Sequence, residues 1–308
     1  MNKNNFNGKN IIITGASRGI GFQITKKFIE SGSNVAICSK NLKKLKLAIS
    51  QLEKIKKKNQ VLFYQKVDIS NKKNVENFIF TSIKKLKKVD ILINNAGVYG
   101  PKGKSEKVSW KKWINTIEVN LFGPILLTRL IIKHFKKNNY GKIIQLSGGG
   151  VSGPLPFLNA YGTSKIAVVR YMQSLSEEVK NYNININTIA PGAINTDMLK
   201  EILKEGPKKV GKHHYKKAMY QRKIGGTSYK KALDLIFFLS SDESNYMKGK
   251  IIHSLWDDWK NFSKHKKIID NSDIYTLKRV SPKDRGLKWG FVKKNIKFDK
   301  QFGPYKKF

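Results

Sequence analysis

Short apolar runs rich in Ile and Val recur along the chain, separated by longer segments whose apolar residues fall every three or four positions. The runs at 10–14, 34–38, 61–67, 89–93, 142–146, 184–189 and 250–255 predict seven strands. Between them, helical spacing joins Ile20, Ile24 and Phe28, then Leu45, Ile49, Leu52 and Ile55, then Val75, Phe78, Ile79, Ile83 and Leu86. A long helix is expected over 110–135, another over 163–180 with Val168, Met172, Leu175 and Val179 on one side, and a last one over 232–239. This alternation, free of repeats and low-complexity linkers, argues for βαβ units. The expected fold is α/β: a doubly wound three-layer sandwich around a seven-stranded, mostly parallel sheet. That domain spans 1–255, and 256–308 reads as a C-terminal extension with one helical piece over 257–269 and a basic, aromatic-bearing tail.

Composition changes this picture little. The chain has 308 residues, enough for a large core, and 61 Lys plus Arg against 21 Asp plus Glu give it a formal charge of +40. Such a charge invites a nucleic-acid reading. Only Arg18, Arg129, Arg170, Arg222, Arg279 and Arg285 are arginines, however, and Arg is the residue that base and phosphate forks prefer. The lysines are spread over the whole length beside many Asn and Ile, as AT-rich codon usage produces. No specific nucleic-acid partner is expected. Residues 1–10 lack the apolar core of a secretory signal, and the apolar stretch at 124–132 is too short to span a bilayer. Cys38 is the lone cysteine, so neither a disulfide nor a Cys-based metal site is expected, and a cytoplasmic setting without membrane attachment follows.

The first predicted strand runs directly into Thr14-Gly15-Ala16-Ser17-Arg18-Gly19-Ile20-Gly21 and then into a helix. Small residues there let the backbone approach a pyrophosphate, and the helix N-terminus offers free N–H groups and a positive dipole end. Further landmarks follow in order: Asn94-Asn95-Ala96-Gly97 after the fourth strand, Asn120 in the long helix, and Ser147 at the end of the fifth strand. Tyr161 stands four residues before Lys165, and Pro191-Gly192-Ala193-Ile194-Asn195-Thr196 comes after the sixth strand. This ordered set, over roughly 8–255, resembles the short-chain dehydrogenase/reductase family. The resemblance implies a Rossmann-type fold, a nicotinamide cofactor, and oxidation or reduction at a CH–OH group. It also implies assembly as a homodimer or homotetramer through the long helix and the Tyr161 helix, where Val168, Met172 and Leu175 form an apolar stripe.

The chemistry of the set is intelligible. Residues four apart on a helix share a face, so the Lys165 ammonium can lie near the Tyr161 phenol. A phenol ionises near ~10, and a neighbouring cation, with the positive nicotinamide of an oxidised cofactor, favours the phenolate. Tyr161 is then the group that exchanges a proton with the carbonyl or alcohol oxygen. By the resemblance, Ser147 hydrogen-bonds the same oxygen and Asn120 anchors a water relay through Lys165. Ser147 stands one residue farther from Tyr161 than the usual family spacing, which lands on Gly148, and Ser152 is a second candidate hydroxyl.

For the cofactor, an acidic residue ending the second strand would hold the ribose diol of NAD and repel a 2′-phosphate. Ser39 and Lys40 occupy that place and Arg18 can reach it, so NADP(H) is expected over NAD(H). The glycine turn (Gly15, Ser17, Arg18, Gly19, Ile20, Gly21) is assigned to the cofactor. So are Asp68 as an adenine contact, Asn95, Ala96 and Gly97, and Pro191, Gly192, Ile194 and Thr196, with Tyr161 and Lys165 shared with the reaction. The segment 197–226 is read as a substrate lid hinged at Gly206, Gly211, Gly225 and Gly226. Its many lysines suit an anionic small-molecule substrate or an acyl carrier protein, or reflect composition alone. His213 and His214 are expected in a solvated loop, and Trp256-Asp257-Asp258-Trp259 in a packing hinge. Three readings result: an NADP(H)-dependent carbonyl–alcohol oxidoreductase, a 3-oxoacyl-carrier-protein reductase, and a basic binding protein retaining the fold.

Overall fold

The apolar runs form strands where expected: β1 (Asn10–Thr14), β2 (Asn34–Ser39), β3 (Leu62–Lys66), β4 (Ile91–Asn94), β5 (Gly141–Leu146), β6 (Ile184–Ala190) and β7 (Ile251–His253). The computed structural model describes residues 6–287, so the basic tail from 288 onward and the first five residues lie outside the described residues. The helices are α1 (Gly19–Glu30), α2 (Leu42–Glu53), α3 (Lys72–Leu86), α4 (Trp110–Ile117), α5 (Gly123–Asn138) and α6 (Asn159–Glu178). They are followed by α7 (Asp197–Val210), α8 (Lys212–Lys223), α9 (Tyr229–Ser240) and α10 (Lys266–Asn271).

All seven strands are parallel, in the order β3-β2-β1-β4-β5-β6-β7. The chain winds outward from β1 in both directions, the Rossmann-type pattern that opens a crevice at the strands' C-terminal ends. Strand alternation divides the core. Ile11 and Ile13 face a layer holding α1, α2 and α9, while Ile12 faces α3, α5 and α6. Lys142, at the start of β5, is fully buried, and among the described residues no carboxylate is ion-paired with it; its ammonium donates to Asn185 Oδ1 (2.9 Å) and to Asn245 Oδ1.

Four expectations need correction. The long helix runs from Trp110 to Asn138, and a π-helical turn at Glu118–Phe122 interrupts it around Asn120. At 29 residues it is long and apolar enough to cross a bilayer, more than its apolar stretch suggested, yet Leu127, Ile131 and Phe135 pack into the domain core. Val168, Met172 and Leu175 are also consumed by that core, so they offer no surface for assembly. His213 and His214 lie in α8, not in a loop. Finally, the extension shares the domain core: Trp259, Phe262 and Ile269 are buried with α9 and β7 residues.

The extension is also tied to β7 by backbone. Ile251 N donates to Tyr275 O (2.7 Å), and the Lys250 ammonium donates to Ser272 O (2.7 Å) and Ile274 O (3.2 Å). Within the hinge, Trp259 stacks on Phe238, whereas Trp256 is exposed and stacks on His253 at 4.4 Å. Asp257 turns back to accept from His253 N (2.6 Å).

Candidate active site

The glycine turn between β1 and α1 is built for backbone approach. A Cβ on Gly15 would lie 2.8 Å from Ala96 Cα, and one on Gly21 would lie 2.5 Å from Gly15 O. Neither position admits a side chain. Gly19, at φ +56°, adopts a left-handed backbone that favours glycine, and a Cβ there would lie 3.8 Å from Thr196 Cγ2. Asn95 staples β4 to this turn, donating from Nδ2 to Thr14 O (2.8 Å) and Gly15 O (3.1 Å). The first turn of α1 has no side-chain cap, so its N–H groups face the crevice unclaimed by protein.

A cleft of about 900 Å³ runs along these C-terminal strand ends, within the range of cofactor sites. Gly15, Ser17, Arg18, Gly19, Ile20 and Gly21 line it, as do Ser39, Lys40 and Asp68, then Asn95, Ala96, Gly97 and Thr196. Pro191, Gly192 and Ile194 do not line it. They shape the loop that brings Thr196 to the cleft: Gly192, at φ +87°, lies against Leu255, and Ile194 is buried. Lys44, Asn115, Val119, Met198, Arg222 and Tyr229 also line the cleft, and no sequence motif marked them.

At the ribose corner, Ser17 and Ser39 are hydrogen-bonded through their hydroxyls at 2.9 Å. Lys40 pairs with Asp68 at 2.5 Å. Burial works against the Asp68 carboxylate, but hydrogen bonds from Lys40 and Ser70 outweigh it and hold the carboxyl below its usual range. Arg18 is turned toward α7, where it pairs with Asp197 at the start of that helix. The expectation that Arg18 serves the ribose corner therefore requires it to exchange Asp197 for phosphate.

Behind Gly97 the second group of residues converges. Tyr161 and Lys165 lie one turn apart near the start of α6, which begins four residues earlier than the apolar period indicated. The Lys165 ammonium is 5.7 Å from the Tyr161 ring centre and donates to Leu146 O at 3.1 Å. Asn120 sits in the π-helical turn, a local widening that sets its side chain between two segments. It accepts from Val98 N (2.9 Å) and donates to Val98 O (2.8 Å) and Ser164 Oγ (3.0 Å). A Cβ on Gly97 would lie 3.2 Å from Asn120 Oδ1 and 3.4 Å from the Lys165 ammonium, so both groups meet at that glycine.

The two candidate serines separate clearly. Ser147 is buried, extends the β5–β6 ladder by donating to Ile189 O (2.8 Å), and has a hydroxyl with no hydrogen-bond partner. Ser152 is exposed on the following loop. Gly148 forms the floor under Tyr161: any Cβ there would collide with the phenol oxygen. The position at the usual family spacing therefore has to stay bare.

Electrostatically, burial dominates what the protein's own groups do to the phenol. Burial pushes the Tyr161 phenol well above its ordinary value, and the neighbouring Tyr99 adds to the rise. Burial also lowers Lys165 to about 8. Part of the phenol's burial comes from residues 197–226: Leu199, Ile202 and Val210 of α7 and Ala218 of α8 form one apolar cluster with Leu158 and Tyr161. Gly206, Gly211, Gly225 and Gly226 all have positive φ. Phe157 packs against Gly211, where a Cβ would lie 2.7 Å from its ring, and so joins the α7–α8 junction to the β5–α6 loop. Burial lowers His214, aided by Lys217 and His213, which leaves it uncharged at neutral pH.

A parallel seven-stranded sheet, a glycine turn at its centre and a Tyr161–Lys165 pair beside the cleft define a nicotinamide-dependent oxidoreductase acting on CH–OH and carbonyl groups. The family described as short chain dehydrogenase matches residues 9–206, and the chain belongs to it. It is similar to the 3-oxoacyl-acyl-carrier-protein reductase FabG of Rickettsia felis, 32% identical over 249 residues that cover 80% of this chain and 95% of that protein. Among solved structures, NAD+-bound xylitol dehydrogenase aligns over 80% of this chain and 98% of its own, with a TM-score of 0.73 at 24% identity. Actinorhodin polyketide ketoreductase with NADPH aligns over 80% and 95%, with a TM-score of 0.72 at 19% identity.

Proposed function

We propose that the chain is an NADP(H)-dependent oxidoreductase interconverting a small ketone and its secondary alcohol. The convergence of Tyr161, Lys165 and Asn120 behind Gly97, with the unpartnered Ser147 hydroxyl nearby, carries this reading. The cradle at Gly15, Gly19 and Gly21 and the uncapped α1 fit a dinucleotide's pyrophosphate, and Thr196 is placed for the carboxamide. When bound, the cofactor supplies or accepts the hydride. In reduction, Tyr161 donates its phenolic proton to the carbonyl oxygen while Ser147 donates a hydrogen bond to the same atom. Lys165 holds positive charge beside the phenol as it loses its proton, and Asn120 keeps the route to Lys165 open.

Ser39, Lys40 and Arg18 support the choice of NADP(H) over NAD(H), because no carboxylate ends β2, Lys40 lines the cleft there, and Arg18 can reach that corner by exchanging Asp197 for phosphate. The Rickettsia felis relative supports a second reading, reduction of 3-oxoacyl groups on an acidic carrier protein, which the chain's charge would complement. A pure nucleic-acid binder would have no use for the buried Tyr161, Lys165 and Asn120. We place the reaction in the cytoplasm, in keeping with a single, buried Cys38. A homodimer or homotetramer is supported by apolar side chains left exposed on the long helix and α6, namely Trp110, Ile114, Phe122 and Ile166. The test of the main reading is NADPH oxidation with a panel of ketones, with NADP-dependent oxidation of secondary alcohols alongside. Turnover by wild type that Tyr161→Phe abolishes supports the reading, and turnover that survives this change refutes it.

A further inference from the structure

We propose that the substrate carries an anionic group, a carboxylate or a phosphate, and that Lys102 receives it. This rests on the carbonyl–alcohol reading of the site and adds its substrate class. Lys102 lies in the loop between β4 and α4, and its side chain is only 6% exposed. Its ammonium donates to Gly100 O and pairs with Glu201 Oε2, both at 3.2 Å, and it stands 5.7 Å from the Tyr99 ring centre. Tyr99 in turn lies against Tyr161, with ring centres 4.7 Å apart. One aromatic ring therefore separates a buried cation from the phenol that exchanges the proton.

Burying an ammonium costs hydration, and an anion offsets that cost more fully than the neutral oxygens that serve Lys142 and Lys165. Here that anion is on loan. Glu201 belongs to α7, the first helix of the lid, and its own side chain is 51% exposed. A substrate reaches Tyr161 only when Leu199 and Ile202 of the same helix leave it, and that movement takes Glu201 away from Lys102. A substrate anion then restores the balance. The Glu201 carboxylate, in this view, holds the place on Lys102 that the substrate's own charged group takes.

The lid's lysines are not equivalent to Lys102. Lys208, Lys209 and Lys212 are exposed, and Lys209 is already paired with Glu205 at 2.7 Å. Charge on the outside of the lid is screened by solvent, whereas Lys102 acts where water is scarce. Selection for an anion thus resides in the β4–α4 loop and not in the lid's surface.

Matched substrate pairs test this: 3-oxobutanoate with its methyl ester, and dihydroxyacetone phosphate with dihydroxyacetone, each reduced by NADPH. In at least one pair wild type should prefer the anion in kcat/KM by about tenfold to a hundredfold, the worth of one charge-assisted bond. Which pair responds tells carboxylate from phosphate. Lys102→Gln should bring that ratio close to one, and Glu201→Gln should lower KM for the anion alone by removing its competitor. Neutral compounds favoured by wild type, or a Lys102→Gln loss shared equally by both members, would overturn the proposal. If no compound is reduced, the oxidoreductase reading fails separately. The anion site is then judged by quenching of bound NADPH fluorescence with 3-hydroxybutanoate and glycerol 3-phosphate. Binding of either that Lys102→Gln weakens supports the site, and none so weakened refutes it.

Discussion

Arg18, in the glycine turn, is ion-paired with Asp197, the first residue of α7. The pair joins the glycine turn to the helix whose Leu199 and Ile202 pack with Tyr161. Both side chains are partly exposed, so solvent screening limits the interaction to about 0–1 kcal/mol. Asp197→Asn should release Arg18 for a 2′-phosphate and tighten NADPH by about two- to fivefold. NADH affinity should stay the same. Fluorescence titration of both cofactors checks this, and an equal gain for NADH would place the effect on the shared pyrophosphate.

Cofactor choice is expected to turn on the residue that ends β2. Wild type should bind NADPH more tightly than NADH by about 1–3 kcal/mol, the value of one or two charge-assisted phosphate contacts. Ser39→Asp places a carboxylate beside Ser17 and should move the preference toward NADH. Indistinguishable affinities in wild type would refute the roles given to Ser39, Lys40 and Arg18.

Tyr161→Phe should lower kcat by about 10²–10⁴ while NADPH binding changes little, since only the proton-exchanging oxygen is lost. Ser147→Ala should also lower kcat, and Ser152→Ala, on the exposed loop, should match wild type. The reverse order between the two serines would reassign the substrate hydrogen bond. Gly148→Ala should inactivate without removing any functional group, because its methyl takes the space of the phenol oxygen.

The contribution of Lys142 to stability should rise with pH on the alkaline side. Burial lowers Lys142 to about 8 from an ordinary value of 10.5. Between these values the unfolded chain holds a proton that the folded chain has released, so raising the pH favours the fold. The burial penalty is complete below about 8 and disappears above 10.5. Lys165 contributes in the same sense. Denaturant unfolding from pH 7.5 to 10 should give a shallower rise for Lys142→Met, by up to about 1.4 kcal/mol per pH unit. Parallel curves would show that Lys142 keeps its charge through hydrogen bonds to Asn185 and Asn245.

The strands were legible because parallel strands buried on both faces read as unbroken apolar runs. The glycine turn and the Tyr161–Lys165 spacing were legible because local chain geometry fixes them. Other features depend on contacts distant in sequence. The π-helical turn at Asn120 leaves no mark on the apolar period, and α8 buries only Ala218, so a Lys-rich helix passed for a loop. Val168, Met172 and Leu175 looked like an interface because a single sequence does not tell a core face from an oligomer face. Lys102 lacked any signal beyond being one lysine among 55, and only its burial beside Tyr99 sets it apart.

The bonds from Ile251 and Lys250 to residues 272–275 have a consequence for solubility as well as for packing. A parallel sheet ending at a bare outer strand offers its unpaired amides to any passing chain, a template for edge-to-edge aggregation. Here the returning extension claims those groups at β7, leaving β3 as the sheet's exposed margin. At β3 the outward-facing side chains include the Lys66 ammonium, a charge that discourages stacking by like molecules.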